Sequence, residues 1–96
     1  MYAAVRRYEG INDDDEAARL VRDSFMPELE KVAGFVAYYW IDAGDGLMAS
    51  LSVFEDKAGA DESVKFAHKW IEENAPNLFP SPPEVTEGVV VASDTR

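Results

Sequence analysis

The chain has 96 residues, with 19 acidic against 9 basic side chains, a formal net charge of -10 and no cysteine. This implies one small domain without disulfides, thiolate metal sites or a cysteine nucleophile; its charge repels phosphate backbones and anionic lipid, so no nucleic-acid or membrane partner is expected. Hydrophobic residues at 47% and charged residues at 29% are ordinary globular usage, and no apolar run reaches the ~18 residues of a membrane span.

At the N-terminus the charges of Arg6 and Arg7 follow the apolar residues, the reverse of a signal peptide, so a cytoplasmic place is expected. Tyr2 to Tyr8 reads as a first strand with Ala3 and Val5 on one face and Ala4, Arg6 and Tyr8 on the other. After Gly10, Asn12 or one of Asp13, Asp14 and Asp15 can cap a helix whose first turn also gains from acidic residues. Ala17, Leu20, Val21, Ser24 and Phe25 form its apolar stripe. Pro27 predicts a kink or restart across Met26 to Lys31.

Phe35 to Ile41 is apolar on both of its alternating faces, which implies that both sides of the sheet are covered. A chain this short needs a cover from outside itself. Gly44-Asp45-Gly46 turns into a partner strand, Leu47 to Phe54. A two-residue or four-residue loop pairs Ile41 with Ser50, Tyr39 with Ser52 and Ala37 with Phe54. That register sends Tyr39, Met48, Ser50, Ser52 and Phe54 to the uncovered side, and Val36, Tyr38 and Trp40 with Leu47, Ala49, Leu51 and Val53 under the helices; an odd loop length swaps the two sets. A face mixing aromatics and hydroxyls suits a small-molecule cavity and a polar-tolerant dimer interface equally.

A second helix fits Lys57 to about Asn74, with Ala60, Val64, Ala67 and Ile71 inward, Trp70 at one margin and Gly59 weakening the first turn. The proline-rich loop Asn77 to Pro83 precedes a last strand, Glu84 to Ala92. The order is that of an α+β, ferredoxin-like βαββαβ domain: an antiparallel four-stranded sheet with two helices on one face. It is a single domain over residues 1–96 with an ordered core of about residues 2–92.

Several segments together resemble the antibiotic biosynthesis monooxygenase-like superfamily. They are Gly34 to Trp40, the turn Asp42 to Gly46, the stretch Ser52 to Ala60 and the ending Pro82 to Gly88. The resemblance implies that two copies pair their open sheet faces into a dimeric α/β barrel. It also implies cofactor-independent oxygenation of aromatic substrates as the enzyme reading. The haem-degrading members use an asparagine on the first strand, a tryptophan ending the third and a histidine on the second helix. Here the first two positions hold Arg6 and Phe54, and His68 lies farther along the helix than that pattern requires, so no cofactor is expected.

His68, the only histidine, is either a general base or a partly buried, hydrogen-bonded side chain. No histidine pair or carboxylate cluster at metal-ligand spacing offers it partners, so no metal is expected. Arg6 and Arg7 point to opposite faces, and the resemblance aims Arg6 at the cavity. There it would orient a carboxylate or enolate-like oxygen, unless one of the nineteen acids pairs with it. Tyr39 could polarise a bound oxygen or simply span core and solvent. Trp40 and Trp70 are packing residues, and Asp13 to Glu16 is a solvated helix start. The expected function is a homodimer binding a small hydrophobic or aromatic molecule, with Arg6, Tyr39, Met48, Ser50, Ser52 and Phe54 lining the cavity. The alternative is a non-catalytic dimerisation module with a side-chain-filled interface.

Overall fold

In the computed structural model, which describes residues 1–96, β1 (Tyr2–Tyr8) leads into α1 (Asp14–Leu20), a π-helical segment (Val21–Phe25) and α2 (Met26–Leu29). The hairpin of β2 (Phe35–Gly44) and β3 (Leu47–Phe54) follows, then α3 (Lys57–Asn74) and β4 (Glu84–Val89). The strands form one antiparallel sheet in the order β2-β3-β1-β4. With the helices on one face, this is the ferredoxin-like α+β fold expected from the sequence.

Both helical stretches start on an aspartate. The Asp13 carboxylate accepts from the Glu16 N–H at 3.1 Å, and Asp56 accepts from the Gly59 N–H at 3.0 Å, each satisfying a donor that the helix itself leaves free. Pro27 has no N–H to offer the Asp23 carbonyl, and its ring crowds that oxygen. The chain widens into π turns over Val21–Phe25 and resumes as α2. The irregularity therefore lies before Pro27, a turn earlier than the expected kink.

Ala17, Val21, Phe25 and Leu29, spaced four apart, face the sheet, where they meet Ala60, Ala67 and Trp70 of α3 and Tyr8, Met48 and Phe54 of the strands. Phe25 sits at the centre of the aromatic layer, with ring centroids 5.5 Å from Tyr38, 5.3 Å from Phe66 and 5.2 Å from Trp70. Each such pair adds about 0.5–1.5 kcal/mol beyond the area it buries. Trp70 also donates its Nε1–H to Ser24 Oγ at 3.0 Å, tying α3 to the π segment. On α3, Gly59 and Ser63 are buried while Val64 is exposed, so the inner stripe is rotated from the expected one. β4 ends at Val89 rather than Ala92, and all of its residues are exposed.

The hairpin turn is Asp45-Gly46, with φ of 54° and 78°, as a two-residue turn of the primed kind requires. Its length is even, yet the register departs from the expected one because β2 carries an extra residue, Ala43, between the pairs Asp42–Met48 and Gly44–Leu47. The bulge shifts the pairs from Ile41 to Ala37 by one, and a second irregularity at Val36, which is exposed rather than under the helices, precedes the pair Phe35–Phe54. Trp40 now faces Ser50, Tyr38 faces Ser52, Tyr39 faces Leu51 and Ile41 faces Ala49. Met48, Ser50, Ser52 and Phe54 are therefore buried under the helices, not on the open side. Leu47, Ala49, Leu51 and Val53 exchange with them onto the open face, where Tyr39 is 59% and Ile41 50% exposed.

Gly59 is held by close approach. A Cβ there would stand 2.7 Å from the Ala33 carbonyl oxygen and 3.0 Å from Phe54 Cδ1. Alanine is the better helix former by nearly 1 kcal/mol in isolation, but here overpacking of about 1–3 kcal/mol outweighs that gain. Gly59→Ala is expected to lower Tm, by about 4–8 °C for each kcal/mol lost in a domain of this size, as differential scanning calorimetry would show; a raised Tm would mean that α3 does not start against Ala33.

Candidate ligand-binding site

Two rows of cross-strand neighbours run over the helix-facing side of the sheet: Trp40–Ser50–Arg6 and Tyr38–Ser52–Ala4. The central strand contributes only small side chains to them, each serine being 1% exposed. Large side chains from the flanking strands can therefore meet above β3. Tyr8 of β1 and Trp40 of β2 do so, with ring centroids 5.5 Å apart, and Phe79 from the loop after α3 completes a triangle at 5.2 Å and 6.0 Å.

These rings, with Val21, Phe25, Tyr38, Ala67, Trp70 and Ile71, line a small, partly open cavity of about 10 Å³ between sheet and helices. That holds one water at most. Beside it lies an open groove of about 260 Å³, lined by Tyr8, His68, Ile71, Phe79, Pro80, Ser81, Pro82 and Pro83. Tyr8, Ile71 and Phe79 belong to both linings and form the wall between them. Phe79 is the wall residue that regular structure does not hold.

Arg6 lies behind this lining at 4% exposure, its charge acting on the lining phenols Tyr8 and Tyr38, and its Nη2 has no hydrogen-bond partner. Trp40 Nε1 is likewise buried and unpartnered. Arg7, Arg19, Arg22, Lys31, Lys57 and Lys69 each pair with a carboxylate at the surface. None of the nineteen acids pairs with Arg6. Burial pushes the Tyr38 phenol well above its ordinary range, with a smaller push from neighbouring Tyr8, while the Ser50 hydroxyl and the Arg6 charge pull the other way. Burial also raises Tyr8, against the pull of Arg6. Both phenols thus keep their protons and can donate.

The structure brings Arg6, Ser50 and Ser52 together and separates the other candidates from them. Tyr39 lies on the open face, as expected, while the bulge turns Ser50 and Ser52 to the other side of the sheet. His68 has a side chain 77% exposed, with Nε2 3.0 Å from Glu72 Oε1; it is neither the partly buried histidine expected nor a group reaching the cavity. Met48 and Phe54 are core. Tyr8, Tyr38, Trp40 and Phe79 supply the walls instead. For three of them the sequence carries the signal: Tyr8 shares its strand parity with Arg6, and Tyr38 and Trp40 fall on the helix side of β2.

No group of three or more His, Asp or Glu side chains is placed to hold a metal ion. With the only histidine paired at the surface and the cavity lined by packed rings, the residues present do not fit a haem. No helix is long and apolar enough to cross a membrane.

No protein-family model and no curated protein matches the chain. Solved structures do. A protein of unknown function from Nitrosomonas europaea superposes with a TM-score of 0.80 at 20% identity, covering 99% of this chain and 93% of that one. A Streptomyces coelicolor monooxygenase, ActVA-Orf6, in complex with nanaomycin D, gives 0.75 at 14% identity over 99% and 91%. A dimeric ferredoxin-like protein from an uncultured marine organism gives 0.70 at 12% identity over 99% and 97%. The chain thus shares its fold, over its whole length, with antibiotic biosynthesis monooxygenase-like proteins.

The phenols make the protein's stability depend on alkaline pH. A folded-state value above the ordinary 10.0 for Tyr8 and Tyr38 means that their contribution is complete below about pH 10 and is lost as pH rises through the folded value. Phenolate absorbance is expected to show a late step coinciding with unfolding, diminished in Tyr38→Phe. A single step for all tyrosines near the free-phenol value would contradict this burial.

Proposed function

We propose that the chain acts as a homodimer that holds a small hydrophobic or aromatic molecule between its sheet and its helices. The observation that carries this reading is the aromatic-walled cavity beside a larger groove, the two linings sharing Tyr8, Ile71 and Phe79. Ligand sites are mostly apolar concavities with a few convergent polar groups; here the phenols of Tyr8 and Tyr38 stand in the lining with Arg6 beside them. Swinging Phe79 aside joins cavity and groove into a space for a ring system.

The dimer reading is supported by the open face, where Tyr39, Ile41 and Val5 are exposed beside half-buried Ala37, Ala49, Leu51 and Val53. A contiguous apolar face of this kind marks an interaction surface, and a second copy of the sheet is its proposed cover. Cofactor-independent oxygenation is the reaction that the likeness to a monooxygenase suggests. Arg6 could hold an anionic oxygen, and protonated Tyr38 could donate to one.

One observation favours the non-catalytic module instead: the space is nearly filled by its own side chains. Equilibrium dialysis against 2-naphthol separates the two readings. Saturable binding of one naphthol per protomer, tightened in Phe79→Ala, is the expected result; no uptake by either protein would leave the filled, structural reading.

A further inference from the structure

We infer that this pocket selects an anion: its ligand is a flat apolar molecule bearing a carboxylate, whose two oxygens take the unpartnered donors of Arg6 and Trp40. The inference rests on the ligand-site reading above and adds the charge of the ligand. Arg6 and Trp40 flank Ser50 in one row of the helix-facing side of the sheet; Trp40 lines the pocket, and Arg6 lies beside the lining phenols Tyr8 and Tyr38. Both are buried and without a partner in the protein.

A buried charge is normally paired. In a chain with nineteen acids, the absence of an internal partner is the informative fact. Glu87 extends from the same face of β4, opposite Ala4, yet stays exposed and forms no pair with Arg6. Nor can the proposed partner copy supply the missing charge, because it would lie on the opposite face of the sheet. The partner must then enter the pocket. A carboxylate offers two acceptors for two donors, and charge-assisted bonds are about twice as strong as neutral ones. The chain's net charge is negative, so selection for an anion resides in the Arg6 and Trp40 donors and not in long-range steering.

Isothermal titration with 2-naphthoate and its neutral counterpart 2-naphthamide tests this. The wild type is expected to bind 2-naphthoate about tenfold more tightly, the size of one charge-assisted hydrogen bond. Arg6→Met should bring the two affinities within about twofold, and Trp40→Phe should narrow the gap part of the way. Thermal melts accompany the titrations, and Arg6→Met is expected to melt no lower than the wild type, since it removes an unpaired buried charge. Equal affinities in the wild type would mean that water satisfies both donors, overturning the anion while leaving the pocket. A preference that survives in a folded Arg6→Met would also overturn it. Binding of neither probe would remove the pocket and the anion together.

Discussion

The extra residue Ala43 in β2, set against Met48 and Leu47, governs what shares the space under the helices. Side chains alternate strictly along a strand, so one unpaired residue carries every later pair to the opposite face. With the bulge, Trp40 and Tyr38 stand over Ser50 and Ser52, and Arg6 joins their row from β1. Without it, Tyr39 and Ile41 would take those places, and the layer joining Tyr38 to Phe25 and Trp40 to Tyr8 would lose its strand-side members. The glycines support this arrangement locally. Gly46 lies so near Ile11 that a Cβ would stand 2.8 Å from its carbonyl oxygen, and its own carbonyl accepts the Ile11 N–H at 3.1 Å.

Packing and polarity pull against each other in the same layer. The rings around Phe25 and Phe79 make a dense apolar shell, whereas Arg6 places a charge with no protein partner beneath it. An uncompensated buried charge costs about 3–5 kcal/mol, a large share of the 5–15 kcal/mol by which a typical domain is stable. A methionine of similar length would remove that penalty. Local rules broken in this way are characteristic of sites that serve something other than stability.

Much of the fold was legible in the sequence. The limits of β1 and α3 match their expected ranges, and the order of elements led to the right architecture. The faces of the hairpin were not legible, because Asp42-Ala43-Gly44-Asp45-Gly46 is compatible with several turns and a bulge has no signature of its own in that composition. That one local ambiguity moved Met48, Ser50, Ser52 and Phe54 to the wrong side while leaving Tyr38 and Trp40 correctly placed. His68 was misjudged for another reason: at the margin of a helical stripe, a rotation of α3 decides between core and solvent, and Trp70 and Ser63 take the buried positions. Phe79 came from a loop, where periodicity says nothing about burial.

One face of the sheet is proposed to take a second copy and the other a ligand. Sedimentation velocity recorded in the absorbance band of 2-naphthoate reports mass and bound probe together, for the wild type and for the Tyr39→Glu, Ile41→Glu double variant. Both substituted residues are exposed in the single chain, so the variant should fold. The expected result is a probe-carrying dimer for the wild type and a probe-carrying monomer for the variant. A variant that stays dimeric, or a monomer that has lost the probe, would contradict the division.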